Sequence, residues 1–243
     1  MAIFGASTAA PLEASAASKG SVSVLYAGSL LDFMTMKLGP AFTKATGYSI
    51  VGVSAGSGAL ATEIKSGTQV ADVFISASPT INASLEGSAN GSWVSTYALF
   101  GTSPLLLGYN PASSFAHALR TQPWYNVVTE PGFLLGRTDP ATDPKGVLAV
   151  DALEGVALSY GVPGLAALAT DSATVFPETT LVGRLQAGQL DAGFFYGVEA
   201  AAASLKTAPL VGTRLQAKYT VAQVNRDPNP AGASAFIKFL LSK

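Results

Sequence analysis

The chain has 243 residues, of which 49% are apolar and 12% are charged, and its formal net charge is -1. This length suffices for one large domain or two lobes with a buried core. The near-neutral charge, without any basic run, excludes the electrostatic footprint of a nucleic-acid partner. The lack of cysteine excludes disulfides, thiolate metal sites and cysteine nucleophiles, and the single histidine, His117, excludes a histidine-rich metal cluster.

Residues 1–20 are rich in Ala and Ser, and their segment ASAAS carries the small residues that signal peptidase favours. No Lys or Arg precedes Lys19, and the apolar run is short. We therefore expect a leader or the remnant of an export signal, with a low-complexity tail as the alternative. No stretch of the chain approaches the ~18 apolar residues of a membrane-spanning helix.

Strand and helix patterns alternate through the first third of the chain. The predicted elements are strand 21–27, helix 30–46 (interrupted by Pro40), strand 48–54, helix 58–67 and strand 71–78. The last of these, ADVFISAS, is almost uniformly apolar, which is typical of a strand buried on both faces of a parallel sheet. Strand–helix–strand–helix–strand in this order predicts an α/β fold.

The rest of the chain predicts a second α/β unit and a return to the first. The predicted elements are strand 103–111, strand 132–140, helix 147–161, helix 178–189, a strand leading into a helix over 191–205, strand 213–224 and a final amphipathic helix 229–243. We expect one lobe from residues 21–101 plus 206–243 and a second from 102–205, each a mixed sheet flanked by helices. Two crossing strands, near 101–105 and 204–213, would form the hinge of a protein that traps its ligand between lobes.

Two predicted strands end in the same way, in AGSLL after residue 26 and in AGSGAL after residue 54. Ligands of open α/β sheets lie at the carboxyl ends of the strands. Gly28 and Gly56 would let the backbone approach a ligand, and Ser29 and Ser57 would offer hydroxyl donors at helix starts. The first helical N–H groups are unpaired and carry the positive end of the helix dipole. The two turns together predict an anion pocket without Lys or Arg, whereas either turn alone is also consistent with an ordinary N-cap.

Six ordered motifs, covering nearly the whole chain from residue 21, look like those of the molybdate- and tungstate-binding proteins of ABC transporters. They are LYAGSLLDFM, SAGSGALATEIKSG, ADVFISAS, TDPATDPKG, QLDAGFFYGVEA and NPAGASAFIKFLLSK. The resemblance implies the two-lobed type II periplasmic-binding fold. It also implies that Ser29 and Ser57 hold the oxyanion, that the loop 139–146 donates the N–H of Asp143, and that Tyr196 contributes its hydroxyl.

A largely archaeal subgroup resembles this sequence further through GRTDP. In that subgroup the Asp of the motif and a Glu just before the Tyr coordinate the metal centre, which becomes six-coordinate. Asp139 matches the first carboxylate, whereas Phe195 stands in the place of the second, and Glu199 would lie one helical turn further on. Asp139 could equally cap its own loop, because Asp before Pro commonly starts a turn.

Two further residues are weaker candidates for the site. Arg137 could be a cation for the oxyanion, since Arg pairs well with such groups, or could pair instead with Asp139 or Glu130. Ser76, at the end of the third strand, could contact the ligand or serve the local structure.

We therefore expect an exported, monomeric binding protein, periplasmic or anchored at the cell surface, that captures molybdate or tungstate. The resemblance implies a membrane permease and a cytoplasmic ATPase as partners, and no cofactor or metal apart from the Mo or W centre of the ligand. The alternatives are a binding protein for sulfate, phosphate or another oxyanion, and a serine hydrolase. The hydrolase is disfavoured because a nucleophilic serine needs an adjacent base and there is no second histidine.

Overall fold

The computed structural model of the chain describes residues 18–242. Strands and helices alternate along most of this range. The strands are β1 (Ser21–Ala27), β2 (Ser49–Ala55), β3 (Val73–Ser76), β4 (Ala98–Tyr109), β5 (Leu135–Gly136), β6 (Ala192–Tyr196), β7 (Lys206–Ala208) and β8 (Gln216–Gln223). The α-helices are α1 (Leu31–Phe33), α2 (Gly39–Thr46), α3 (Ser57–Ser66), α4 (Pro79–Ala83), α5 (Ala116–Thr121), α6 (Trp124–Val127), α7 (Pro144–Tyr160), α8 (Pro163–Thr170), α9 (Glu178–Gln186), α10 (Gly197–Ala202) and α11 (Pro230–Leu241).

Several helices begin or end at proline or glycine residues, which commonly mark helix ends. α3 ends at Gly67 and α7 ends at Gly161, and both glycines adopt the left-handed conformation, with φ of 72° and 67°. Glycine adopts this conformation without the steric penalty of a Cβ. α7 begins with Pro144, whose missing N–H costs nothing in the first turn, and Asp143 caps it.

The first predicted helix is not one regular α-helix. A 3₁₀ turn (Gly28–Leu30) leads into α1, and a π-helical segment (Met34–Leu38) then leads into α2. Pro40 has no N–H, and its ring crowds the carbonyl four residues earlier. The chain widens before it, so that the N–H of Gly39 donates to the carbonyl of Met34.

The strands form one mixed sheet in the order β2-β1-β3-β8-β4-β6-β5, with β7 paired to the end of β4. β1 is parallel to both β2 and β3. β8 is antiparallel to β3 and to β4, whereas β5 and β6 are parallel to each other. These pairings confirm the predicted mixed α/β class.

β4 joins the two halves of this sheet. Its residues 98–104 pair with β8, and its residues 105–109 pair with β6. The predicted strand 103–111 is therefore longer at its start and stops at Tyr109. The residues 206–208 of β7 also pair with the second half of β4. The residue boundaries proposed for the lobes, 21–101 plus 206–243 and 102–205, stay a prediction.

Two predicted strands are shorter than expected. The strand predicted over 71–78 is regular only at Val73–Ser76, because the Ser76 hydroxyl accepts from the N–H of Ser78 and donates to its carbonyl, which forms a turn. The strand predicted over 132–140 is reduced to β5, and beyond it Arg137 bridges to Val175.

Buried apolar residues cover both faces of the sheet. β3 is buried along its whole length, as expected for a central strand. One large cluster, including Phe42, Trp124 and Phe236, links both halves of the sheet. A smaller cluster of Leu181, Leu185, Leu190, Phe195 and Ala200 lies under α9. This cluster fixes the position of the first residue of α9, Glu178.

Residues 1–17 of the predicted leader lie outside the described residues. Across the range 18–242, no helix is both long and apolar enough to cross a membrane.

Candidate functional site

The two Ala-Gly-Ser turns lie side by side at the carboxyl edge of the sheet. β1 and β2 are parallel neighbours, and their last paired residues are Ala27 and Ala55. Ser29 and Ser57 each follow two residues later, and both are buried. The shared sequence pattern therefore becomes a shared location in the structure.

Ser29 contacts two tyrosines that come from distant strands. Its hydroxyl is 2.9 Å from the hydroxyl of Tyr219, and the Tyr219 ring packs edge-on against the ring of Tyr196 at 6.1 Å. Burial raises the pKa of both phenols, so both stay protonated and able to donate. Within the described residues, the Tyr196 hydroxyl is buried and has no hydrogen-bond partner.

Ser57 lies at the start of α3, facing a loop from the other end of the sheet. Its hydroxyl accepts from the N–H of Ala77 at 3.1 Å. The N–H groups of Gly58 and Ala59 donate to the carbonyl of Thr142, at 2.9 and 3.1 Å. Two N–H groups that we expected to face an anion are thus satisfied by a backbone oxygen, because a helix start needs such acceptors. Gly56 permits this approach, since a Cβ there would lie 2.6 Å from the same carbonyl.

The loop 139–143 is held by its own hydrogen bonds. Asp139 accepts from the N–H of Ala141 at 2.9 Å, as in the loop-capping alternative. The N–H of Asp143, expected to donate to the oxyanion, donates to the carbonyl of Asp139 at 2.9 Å. The Asp143 carboxylate accepts from the N–H of Lys145 at 2.7 Å and so caps α7. Roles for Asp139 and Asp143 in ligand contact stay predictions.

A buried lysine with two glutamates forms the charged centre of the site. The Lys145 ammonium is 3.0 Å from a Glu178 oxygen and 2.8 Å from a Glu199 oxygen. The side chain of Lys145 is 0% exposed, and those of Glu178 and Glu199 are 6% and 8% exposed. Burial alone lowers the pKa of Lys145, but Glu178, Glu199 and Asp143 raise it above its usual value, so the ammonium stays charged.

Two carboxyl groups beside Lys145, those of Asp143 and Glu199, hold their protons more tightly than usual. Burial raises the pKa of Asp143 to about 6, against the lowering effect of Lys145. Burial and the neighbouring Glu178 raise the pKa of Glu199 to about 7, again against Lys145. Both pKa values therefore lie closer to neutral pH than those of ordinary carboxyl groups.

Glu199 supplies a carboxylate near position 195, where the resemblance leads us to expect a Glu and the chain has Phe195. It lies in the first turn of α10 and accepts weakly from the N–H of Tyr196, at 3.3 Å. Phe195 instead offers its ring to Lys145, whose ammonium lies 5.4 Å from the ring centroid. The carboxylate therefore pairs with a cation, and coordination of a metal centre by Glu199 stays a prediction.

Two cavities flank the Glu178 side chain. One, of about 370 Å³, is lined by residues that include Gly56, Asp139 and Asp143. The other, of about 290 Å³, is lined by residues that include Gly28, Ser29 and Glu199. Glu178 and Thr179 line both, so the two cavities adjoin at the start of α9, and we refer to them together as the cleft.

Comparison with known proteins identifies the family. The model of the family described as bacterial extracellular solute-binding protein matches residues 22–243. The chain belongs to this family.

Relatives of this solute-binding protein include two archaeal proteins whose names refer to the binding of molybdenum, molybdate or tungstate. A protein of Haloferax volcanii, named as a candidate ABC transporter molybdenum-binding protein, is 30% identical over 176 residues, which are 72% of this chain and 54% of that protein. The molybdate/tungstate-binding protein WtpA of Pyrococcus abyssi is 24% identical over an alignment of 199 residues, gaps included, that covers 60% of this chain and 58% of that protein. The chain thus spans less than two thirds of the length of either relative.

Solved structures identify the fold. The periplasmic molybdate-binding protein of Azotobacter vinelandii has a TM-score of 0.67 at 19% identity, over 90% of this chain and 92% of that one. The substrate-binding domain of a candidate molybdenum ABC transporter from Clostridium difficile has a TM-score of 0.58 at 19% identity, over 93% of each chain. The solute-binding protein therefore has the type II periplasmic-binding fold that the sequence predicts.

The two weaker candidates have other partners in this solute-binding protein. The buried Arg137 guanidinium donates to the backbone carbonyls of Ala169, Asp171 and Thr138, at 2.8, 3.3 and 3.3 Å. Ser76 bonds within its own turn. Both side chains thus have partners within the protein, and roles for Arg137 and Ser76 in ligand contact stay predictions.

The sequence-based prediction missed Lys145, Glu178 and Tyr219. A lysine is almost never fully buried unless it is paired, and the partners of Lys145 lie 33 and 54 residues away. The only local signal is the position of Lys145, directly after the Asp-Pro that starts α7. Helix starts favour acidic residues, so a lysine in this first turn is a mild anomaly.

Proposed function

We propose that this solute-binding protein captures a tetrahedral oxyanion, molybdate or tungstate, in the cleft around Glu178. The hydroxyls of Ser29, Ser57 and Tyr196 would donate to it. An ABC permease in the membrane, driven by a cytoplasmic ATPase, would take up the released ion. The names of the Haloferax, Pyrococcus and Azotobacter relatives support this ligand class.

The observation that carries the proposal is the unpartnered hydroxyl of Tyr196. Buried polar groups are nearly always hydrogen-bonded, so a buried donor without a partner fits a place that a ligand fills. Ser29 lies beside it through Tyr219, and the Lys145 ammonium lies 5.9 Å from the Tyr196 ring centroid. Hydroxyl donors with one cation suit an ionised oxyanion, because charge-assisted hydrogen bonds are the strong ones.

Ionised carboxyl groups in the cleft would repel a bound dianion. Negative charges at close range repel strongly in a poorly solvated site. Protonation of Glu199, whose pKa is raised to about 7, relieves part of this repulsion near neutral pH, and protonation of Asp143, whose pKa is raised to about 6, relieves more of it at lower pH. Direct coordination of the metal centre by Asp139 would relieve it in another way.

X-ray absorption of the tungstate complex distinguishes these two arrangements. Proton uptake alone leaves four tungsten–oxygen distances. Coordination by Asp139 adds longer carboxylate oxygens and raises the coordination number. Four oxygens without a longer one would remove Asp139 from the site.

The proposal includes an absence of catalysis. The Ser29 hydroxyl contacts a phenol, and the Ser57 hydroxyl accepts from a backbone N–H. Neither arrangement supplies the adjacent base that activates a nucleophilic serine. Turnover of generic esters that Ser29→Ala abolishes would favour the hydrolase alternative instead.

We also place the protein outside the cytoplasm, periplasmic or anchored at the cell surface, and working as a monomer. The family name supports an extracellular site of action. Fractionation of the native host, with detection by antibody, tests the location. Recovery with the cytoplasmic fraction would contradict it.

Thermal unfolding with a panel of sodium salts tests the ligand. A ligand at a thousand times its Kd adds about 4 kcal/mol to the free energy of unfolding, which raises the Tm of a chain of this length by roughly 10 °C. We expect such a shift with molybdate and tungstate, and a clearly smaller shift in Ser29→Ala but not in Ser159→Ala, an exposed position on α7. A shift with sulfate or phosphate alone would overturn the proposed ligand.

A further inference from the structure

The Glu178 carboxylate lies where the sequence predicts the oxyanion. A Cβ added at Gly28 would overlap this carboxylate, so the carboxylate lies directly on the first Gly-Ser turn. Gly28 belongs to the turn that we identified as one half of an anion pocket. The group that occupies this half is itself an oxyanion.

Packing of α9 against the rest of the protein sets the position of Glu178. It is the first residue of α9, which is held down by the apolar cluster of Leu181 and Leu185. Its side chain extends into the cleft and is only 6% exposed. The cavities of about 370 and 290 Å³ on its two sides leave room for the side chain to turn away.

The cation that holds Glu178 is shared. Lys145 has three donor hydrogens, and its ammonium lies within 3.0 Å of one Glu178 oxygen and of both Glu199 oxygens. If Glu178 turns away, one donor of a fully buried ammonium loses its partner. Such a group is costly to leave unpaired, and an incoming anion would satisfy it.

A second donor supports the same location independently. The Tyr196 hydroxyl is buried and has no hydrogen-bond partner among the described residues. Burial, with smaller contributions from neighbours that include Asp143 and Glu199, raises its pKa well above the usual value, and the Lys145 ammonium lies 5.9 Å from the centroid of its ring. The site thus contains the Tyr196 hydroxyl, which lacks an acceptor, and the Lys145 ammonium, whose acceptor Glu178 could be replaced by an anion.

We propose that Lys145 is the cationic partner of the bound oxyanion and that the Glu178 carboxylate holds the place of the oxyanion until the ligand displaces it. This inference rests on the proposed function, since it names the groups that select the anion in the same cleft. Lys145 and Glu178 are then specificity-determining residues. Ligands that cannot replace a carboxylate on an ammonium would be rejected.

Isothermal titration of the full chain with sodium tungstate tests the exchange. Glu178→Gln keeps the shape and an acceptor oxygen but removes the competing charge. We expect it to tighten tungstate binding by about tenfold or more, because removal of a competing state restores the fraction of competent protein. Glu154→Gln, an exposed carboxylate on α7, is the matched control and should leave the Kd unchanged.

Removal of the cation tests the other half of the exchange. Lys145→Met should weaken tungstate binding by about a hundredfold, whereas Lys65→Met, exposed on α3, should not. Because Lys145→Met leaves two glutamates without their cation and can prevent folding, the double variant Lys145→Met/Glu178→Gln is measured as well. It should fold and should lack the gain of Glu178→Gln.

The outcomes separate the two proposals. Tungstate binding by the wild-type chain with an unchanged or weaker Kd in Glu178→Gln would overturn this inference and leave the proposed function standing. A double variant that binds as tightly as Glu178→Gln would exclude Lys145 as the partner. A wild-type chain that binds no oxyanion would overturn the proposed function and this inference with it.

Discussion

The hydroxyl of Tyr196 combines burial with the lack of a hydrogen-bond partner in the described part of the chain. A polar group in this state costs about 1–3 kcal/mol of stability. Its neighbour Tyr219 shows the usual arrangement, because its hydroxyl bonds to Ser29. This difference between the two phenols is the reason for proposing Tyr196, and not Tyr219, as a donor to the ligand.

Replacing Tyr196 by Phe should therefore leave stability unchanged or raise it by up to about 1 kcal/mol. The same change should weaken tungstate binding by roughly tenfold or more, since a hydrogen bond to a charged group contributes about 1.5–3 kcal/mol. Urea unfolding and calorimetric titration measure the two effects. Tyr219→Phe is the control, and it should lose stability because the Ser29 hydroxyl loses its partner. A marked loss of stability in Tyr196→Phe would contradict the assignment.

The raised pKa of Glu199 makes stability depend on pH. Its folded value of about 7 lies above the ordinary 4.5, because burial disfavours the charged form. The unfolded state therefore releases its proton first, and the free energy of unfolding falls as pH rises from about 4.5 through about 7. Asp143, raised to about 6, adds to the same fall.

Glu199→Gln removes the titrating group and should flatten this part of the pH profile of urea unfolding. Glu154→Gln, with an exposed side chain, should leave the profile unchanged. Asp143 keeps a smaller slope at lower pH in this variant, and a slope as steep as that of the wild-type chain would assign the pH dependence to a group other than Glu199.

Sequence patterns predict those site residues whose role is local. Ser29 and Ser57 follow strands and begin helical turns, and both lie where the pattern places them. Lys145 and Glu178 contact each other across 33 residues of sequence. No periodicity or spacing encodes such a pair, because the contact depends on the packing of α9 against the rest of the fold.

At the scale of elements, the start of α3 and the loop 139–143 are in direct contact. The Thr142 carbonyl accepts from two N–H groups of α3, and the glycines at 56 and 58 leave room for it. This contact joins the start of α3, where Ser57 lies, to the loop that lines one of the two cavities. Its strength should therefore influence how well the ligand is retained.

Gly56→Ala should weaken the contact, because the new Cβ would lie 2.6 Å from the Thr142 carbonyl, a backbone atom that cannot move alone. We expect a loss of about 1–3 kcal/mol in stability and faster release of tungstate in stopped-flow measurements. Gly155→Ala, at a helical position on α7 with open space around its Cβ, should instead add about 0.5–1 kcal/mol. Equal stability changes in the two variants would contradict the steric account.

Long helices that are followed by a glycine are predictable from the sequence, whereas very short strands are not. α7 ends at Gly161 and α3 ends at Gly67, as the glycines indicate. β5 has two residues and β7 has three, which is too short for a period-2 pattern to appear. The π-helical segment Met34–Leu38 was also unexpected, since a proline signals an interruption without specifying its geometry.

At the scale of the whole molecule, β4 connects the two halves of the sheet. Residues 98–104 of β4 pair with β8 and residues 105–109 pair with β6. Ser29 and Ser57 follow strands of the first half, whereas Tyr196 ends β6 in the second. The proposed ligand would therefore be held by groups from both halves, as expected for a hinged solute-binding protein.

The location of tungsten in a tungstate-bound crystal tests the central claim most directly. The anomalous signal of the metal marks its position independently of the protein geometry. We predict one peak in the cleft, within hydrogen-bonding reach, through its oxygens, of the Ser29, Ser57 and Tyr196 hydroxyls. A peak elsewhere on the chain, or no peak after growth in millimolar tungstate, would contradict the claim.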